Sequence, residues 1–436
     1  MTVAAGAPPL RFERLRRWTK ILSAYFTTQT LTQLLGIASG LLFVNFMPVR
    51  EFALYTLAFS VITFFNFASD LGSTTSLVYF FRHAQGEREE VGRYVAAVTS
   101  LRRLAFLLGA GAVLLAFPRI AAAKGFGLRE SLLATAGILL CVWFQVSASV
   151  RVLALRLADR YGLSYRAELT GGGVRLLLAL ALVALGLLRA WLGVLVSSCG
   201  AAATAIIAKP AGTARPGPEA RTPADLRPYR RQVLRYLLPS LPSALYFSVQ
   251  GPLTVWLAAT FGSTRNLAEV GALGRLGLVV GIFSSLTGVV FLPRLARIHD
   301  ERVYRVRYLQ FGALLLAVAA GIVLASMVFP GLLLALVGRQ YAGLRHELVL
   351  VVGSAGLSLL GGYAVSVNLA RSWNRWEGLA VAVLIAVQAV LVARLSLATT
   401  SGVLTFNLLT AATGLLLQLA IALGGFTRPG WVRWMT

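Results

Sequence analysis

The chain runs to 436 residues, of which 57% are hydrophobic and 13% charged, too apolar a balance for a soluble globular protein of this length. Its 41 Lys+Arg outweigh 16 Asp+Glu for a formal charge of +25, an excess that would point to nucleic acid in a soluble domain. Here the arginines sit between apolar runs of about twenty residues, so they read as topology signals and as contacts for anionic lipid, and nucleic acid is excluded as the partner. Cys141 and Cys199 each lie inside an apolar run, and no CxxC or Cys/His metal spacing occurs.

The basic start (Arg11, Arg14, Arg16, Arg17, Lys20) resembles a signal peptide, but the apolar stretch from Ile21 to Phe46 has no small-residue cleavage site, so a retained first helix is expected. Further runs long enough to span a core of about 30 Å follow. They are Phe52 to Phe81, Tyr94 to Phe117, Ser131 to Leu155, Glu168 to Leu187, Trp191 to Ala208, Val233 to Phe261, Val270 to Leu292, Leu309 to Phe329, Glu347 to Ala370, Gly378 to Ala398, and Gly402 to Gly424. The pattern predicts an all-α polytopic membrane protein of about twelve transmembrane helices. With the amino terminus inside, most of the basic residues fall in cytoplasmic segments, which places both termini there.

The longest break, Lys209 to Gln232, holds Pro210, Pro216, Pro218, Pro223 and Pro228 and has the composition of a solvated linker. It divides the chain into a basic amino-terminal segment (1–20), six helices (21–208), the linker (209–232), six more helices (233–424) and a tail (425–436). The halves echo each other. Arg166-Ala-Glu168 opens the fifth run and Arg375-Trp-Glu377 the eleventh, while Glu51 and Glu269 follow short outer turns before the second and eighth. Six helices preserve orientation, so such repeats would be parallel; the simpler explanation is that Glu suits a helix's first turn.

No Walker-type ATP site exists, since Lys20, Lys124 and Lys209 follow Thr, Ala and Ala rather than Gly. The longest outer loop, roughly Pro118 to Glu130, offers little beyond basic residues, and His83, His299 and His346 lie at run borders, so neither catalysis nor a cofactor is implied. Polar groups inside the runs remain, and these are costly in lipid and mark a pathway by default. Asp70 lies roughly 27 Å along its run from Phe52, as a pathway group or as a salt bridge or cap. Arg175 follows Gly171-Gly172-Gly173 and lies about 10 Å inside the fifth run, where small glycines permit close helix approach or leave space beside a guanidinium. Arg275, about 8 Å inside the eighth run, could receive a phosphate bidentately. For both arginines the alternative is snorkelling to the surface.

Arg102 and Arg103 sit where the run from Leu104 to Phe117 is too short to span without them, so one can face a cavity or both can reach headgroups. Gln29 and Gln33, and Asn66 and Asp70, are spaced i, i+4 and form stripes that would line an aqueous cavity or bond between helices. Pro239, Pro242 and Pro252, the last beside Gly251, should bend or break the seventh run, as a gate requires.

The stretch Met47-Pro48-Val49-Arg50-Glu51-Phe52-Ala53-Leu54-Tyr55, followed by Ala68-Ser69-Asp70-Leu71-Gly72, resembles the "EFGLY … DLG" region of the polysaccharide biosynthesis (O-antigen and exopolysaccharide) flippases of the multidrug/oligosaccharidyl-lipid/polysaccharide exporter superfamily. Tyr236-Leu-Leu-Pro239-Ser-Leu-Pro242-Ser, Gly271-Ala-Leu-Gly-Arg275-Leu and Leu292-Pro293-Arg294-Leu295 are similar to that superfamily's second half, including its lipid II flippase branch. The resemblance implies two six-helix lobes around a central cationic cavity in the bacterial inner membrane. It further implies alternating access that carries an undecaprenyl-pyrophosphate-linked glycan outward, with a polysaccharide polymerase and a chain-length regulator as further partners, and a monomeric carrier. Arg275 and Asp70 match the arginine and aspartate of these motifs. Gly251-Pro252 stands where family members often carry a polar or acidic residue, which weighs against ion coupling, and the lipid II branch's two extra helices are missing, which weighs against lipid II. Two alternatives stay open: a cation-coupled multidrug exporter of the same fold, and a non-transporting scaffold for glycan-assembly enzymes.

Overall fold

Backbone polar groups inside a bilayer have no water to bond with, and a helix satisfies them within itself. In the computed structural model the described residues are 11–83, 88–209, 226–238, 241–287, 291–295, 298, 300–371, 373 and 375–427, and they form helices with no strand among them. The first half comprises α1 (Arg11–Phe46), α2 (Val49–Asp70), α3 (Ser73–His83), α4 (Arg88–Ala123), α5 (Leu128–Leu157), α6 (Tyr161–Ala184) and α7 (Ala190–Ile207). The second comprises α8 (Arg227–Leu237), α9 (Leu241–Phe261), α10 (Thr264–Leu286), α11 (Leu292–Leu295), α12 (Glu301–Val328) and α13 (Pro330–Val337), then a 3-10 turn (Arg339–Tyr341), α14 (Arg345–Ala370), α15 (Glu377–Arg394) and α16 (Thr400–Thr427).

Eleven helices among the described residues are long and apolar enough to cross a membrane, so the chain is a multi-pass membrane protein. The expected twelfth, α9, is not one of them, because Pro242, Ser243, Ser248, Gln250 and Pro252 dilute its apolar character. Its 21 residues still reach about 31 Å, enough to cross.

Several expected boundaries move. The second run breaks at Leu71 (φ 42°) and Gly72 (φ 83°), where the chain turns left-handed, so Asp70 ends α2 instead of lying inside a longer helix. α4, the helix of the third apolar run, extends past both ends of that run, with Pro118 inside it, which turns most of the expected outer loop into helix and leaves Arg102 and Arg103 in the helix interior. The fifth and eighth helices begin at Tyr161 and Thr264, earlier than their apolar runs. The end of the expected linker is helical, as α8, and residues 11–20 of the expected basic segment 1–20 are helical as the start of α1, whereas 1–10, 210–225, Pro239 and the tail from 428 lie outside the described residues.

Two arrangements recur six spanning helices apart. α5 packs along α7 as α14 packs along α16. Glu51, in the first turn of α2, accepts from the Ala190 amide that opens α7 (2.7 Å), and Glu269, in α10, accepts from Thr400 Oγ1, which opens α16 (2.6 Å). The carboxylates that echo each other in sequence thus do the same work.

The two halves meet where α2 packs on α9 and α10 and α1 packs on α10. At the end holding the α1–α2 turn they share one apolar core that includes Phe43, Phe52, Tyr55, Leu267, Val337 and Leu404. Polar ties reinforce this closed end: Lys124 Nζ donates to the Gly262 carbonyl (2.6 Å), Asn45 Nδ2 to that of Leu336 (2.7 Å) and Gln340 Nε2 to that of Val44 (3.1 Å). At the opposite end, which bears α8, the buried apolar residues fall into separate clusters. One gathers Leu77, Phe80, Tyr94, Val98, Val233 and Leu237, and another Phe291, Tyr304, Tyr308, Tyr363 and Trp373.

Candidate functional site

The site is built on one face of α2, where Tyr55 and Phe59 stand a turn apart with their rings stacked at 5.9 Å. The Arg275 guanidinium, from α10, lies 4.7 Å from the Phe59 ring centroid and 5.6 Å from that of Tyr55. Arg175, from α6, lies 5.8 Å from the same Phe59 ring and donates from Nη2 to the Tyr55 hydroxyl (3.2 Å). One arginine comes from each half, and both converge on the same aromatic pair.

Both arginines stand farther along their helices than the apolar runs suggest, because the helices start earlier. Arg175 is about 21 Å along α6 from Tyr161, and Arg275 about 16 Å along α10 from Thr264. Arg275 is only 7% exposed, so it does not snorkel. Its stem lies against Gly40 of α1, where a Cβ would stand 3.1 Å from Arg275 Cδ. The glycine makes the space the guanidinium needs.

These groups open onto a cavity of about 330 Å³ lined by Gln33, Gly36, Ile37, Phe59, Arg175 and Arg275. A larger one, about 640 Å³, shares Gly36 and Arg175 and adds Asn66, Gln145, Arg156 and Glu168. Glu168 is already engaged, accepting from Arg156 Nη2 at 2.8 and 2.7 Å. Among the described residues neither Arg175 nor Arg275 has a carboxylate within ion-pairing distance, and the Nε of Arg175 is buried with no hydrogen-bond partner. Aromatic faces offset part of the cost of two desolvated cations, and the remaining field favours an anion.

The glycine run before Arg175 divides its work. A methyl at Gly171 would overlap Thr204 and the Gly200 carbonyl on α7, one at Gly172 would crowd Leu35 on α1, and Gly173 faces open space. Close approach and free volume therefore coexist within three residues.

Asp70 and Arg102 are brought together behind the larger cavity, whose lining includes their partners Thr74 and Ser149. Asp70 Oδ1 accepts from Ser73 Oγ (2.8 Å), the Thr74 amide (3.1 Å), Thr74 Oγ1 (2.7 Å) and the Arg102 guanidinium, and Arg102 Nη1 donates to Ser149 Oγ (2.7 Å). Asp70 thus caps α3 and anchors the α2–α3 break to α4 and α5, and Arg102, 3% exposed, is its buried counter-ion. Asn66 and Gln33 line the larger and the smaller cavity respectively, whereas Gln29, one turn from Gln33, lines neither.

Pro242 is the second residue of α9, where proline is tolerated, and Pro252 is buried within that helix. Gly251, beside it, lines a cavity of about 520 Å³ in the second half together with Tyr246, Gln250, Glu377 and Gln418. There Gln388 Nε2 donates to Gln250 Oε1 (2.7 Å) and Gln418 Nε2 to Glu377 Oε2 (3.1 Å).

Tyr55 and Phe59 escape the sequence reading as site residues. Aromatic side chains in an apolar helix look like packing, and only their i, i+4 spacing opposite intramembrane arginines could have flagged them.

No family model and no curated protein matches the sequence. Solved structures do. An inward-facing multidrug resistance MATE family transporter of the MOP superfamily is similar with TM-score 0.64 and 17% identity, over 91% of this chain and 96% of that one. The lipid II flippase MurJ in an inward closed conformation is similar with TM-score 0.68 and 12% identity, over 91% and 87%. A MOP superfamily transporter from Pyrococcus furiosus, described as having a binding pocket of reverse polarity, is similar with TM-score 0.54 and 15% identity, over 94% and 96%. This chain therefore has the fold of MATE transporters and of MurJ, an all-helical membrane fold of about twelve spans.

Proposed function

We propose that this chain is a polysaccharide-biosynthesis flippase of the MOP superfamily. In this reading it carries an undecaprenyl-pyrophosphate-linked oligosaccharide from the cytoplasmic to the outer leaflet of the bacterial inner membrane, for surface polysaccharide assembly. The observation that carries the reading is the pair Arg175 and Arg275, one from each half, on a shared aromatic pair beside a cavity and with no carboxylate partner among the described residues. A pyrophosphate presents several anionic oxygens, and guanidinium groups bind such oxygens bidentately and most strongly where water is excluded. A phosphate held from both halves also senses their relative motion, which alternating access requires.

A carrier of cationic drugs would need negative charge at this point, and the two arginines oppose it. Proteoliposomes test the choice. Wild-type protein should move a fluorescent short-chain polyprenyl-pyrophosphate saccharide between leaflets, and Arg275→Ala should slow it by about an order of magnitude, the scale of one lost charge-assisted contact. Undiminished flipping by the variant, or efflux of a lipophilic cation in place of flipping, would overturn the reading.

A further inference from the structure

α8 is the first element after the linker, yet it docks on the first half. Arg93 Nη1 donates to Tyr229 Oη (3.2 Å), Tyr94 Oη to Gln232 Oε1 (2.5 Å) and Arg230 Nε to Ser100 Oγ (2.7 Å), while Val233 and Leu237 are buried against Leu77 and Val98. These contacts fix which face of α8 points away from the protein. At 100° per residue that face carries Arg227, Leu234, Leu238, Arg231 and Arg235 in one arc, all exposed. Leu234 is 51% exposed and Leu238 68%. The helix holds no acidic residue, and Glu89 is paired with Arg93 (2.7 Å), the residue that donates to Tyr229.

The level of this face follows from α4. Its 36 residues measure about 54 Å against a hydrocarbon core of about 30 Å. Four of its seven charged residues (Arg88, Glu89, Glu90, Arg93) lie at the α8 end, Arg102 and Arg103 follow further along, and Arg119 stands near the other end beside exposed Leu114, Leu115 and Ile120. Most of the excess length therefore projects at the α8 end, where four charged residues cluster, and the dock at Arg93 to Ser100 falls near the edge of the hydrocarbon.

We infer that α8 is an interfacial anchor for anionic phospholipid, with Leu234 and Leu238 inserted among the acyl chains and Arg227, Arg231 and Arg235 bound to lipid phosphates. A face bathed only in water would gain nothing from exposed leucines between arginines, whereas the headgroup boundary accommodates both. Because α8 is fastened to α3 and α4 and leads directly into α9, lipid bound there holds the entry to the second half at a fixed height. The inference does not depend on what the central cavity carries.

The test uses the full chain with Cys141 and Cys199 replaced by alanine and a fluorophore on Leu238→Cys, reconstituted in mixed vesicles of phosphatidylglycerol and phosphatidylcholine with bromine on one lipid or the other at equal mole fraction. The expected result is strong quenching, greater with brominated phosphatidylglycerol. Adding Arg231→Gln and Arg235→Gln should lower the preference for phosphatidylglycerol by about an order of magnitude. Quenching by neither lipid, as a solvated face or a docked protein would give, overturns the inference, as does equal quenching by both or a preference unmoved by the arginine substitutions.

Discussion

At the centre of the molecule a glycine and an arginine depend on each other across two helices. Gly40→Val should push the Arg275 guanidinium off Phe59 while leaving its charge in place, at a folding cost of about 1–3 kcal/mol for overpacking. Transport should fall although both arginines remain, and a variant that transports normally would show that their position is not what matters. Asp70 predicts a different phenotype. Asp70→Asn removes the counter-ion of a buried arginine and should lower stability by about 3 kcal/mol, read as a fall in the thermal midpoint in detergent. The double variant Asp70→Asn/Arg102→Leu should regain part of that loss. The arginines were legible as sequence because a charge in an apolar run stands out from its neighbours. Asp70 was legible as unusual, with a salt bridge or cap as one of its two readings; what decides for that reading is the left-handed turn at Leu71-Gly72, which an apolar run does not reveal.

Helix ends, more than helix existence, separate expectation from structure. Hydropathy marks where a helix meets hydrocarbon, and polar turns of α4, α6, α10 and α12 continue beyond that boundary. Arg175 and Arg275 therefore stand farther along their helices than the apolar runs suggest, the added turns lying outside the hydrocarbon. The caps at Glu51 and Glu269 give this scale its own prediction. Glu51→Gln and Glu269→Gln weaken equivalent contacts at the starts of α7 and α16, so each should cost about 1 kcal/mol of stability. Unequal midpoint shifts in the two variants would mean that the halves do not use the pair equivalently. α8 was the element least legible, since Pro228 and its arginines read as solvated linker and its burial against α3 and α4 depends on tertiary contacts.

Across the whole molecule, one end is sealed by a shared apolar core with Lys124, Asn45 and Gln340 tying the halves together, and the other divides into separate clusters. The cavity at Arg175 and Arg275 should therefore be reached from the α8 end. In a background lacking Cys141 and Cys199, a Gln33→Cys variant should react with a membrane-impermeant thiol reagent applied from the α8 side and resist it from the other. Equal reactivity from both sides would contradict the closed end. The pattern of about twelve spans was readable from run length and charge, whereas the side on which the halves meet was not, because it depends on which apolar faces pair.

The account stands on the two arginines acting as one anion site, and a titration reads this most directly. Purified wild-type protein should bind a short-chain polyprenyl pyrophosphate in preference to the corresponding uncharged alcohol. Arg175→Gln and Arg275→Gln should each weaken binding about tenfold, or about 1.4 kcal/mol. The double variant should fall short of the sum of the two, since both contact one ligand. Binding unchanged by either substitution, or equal affinity for the uncharged alcohol, would contradict it.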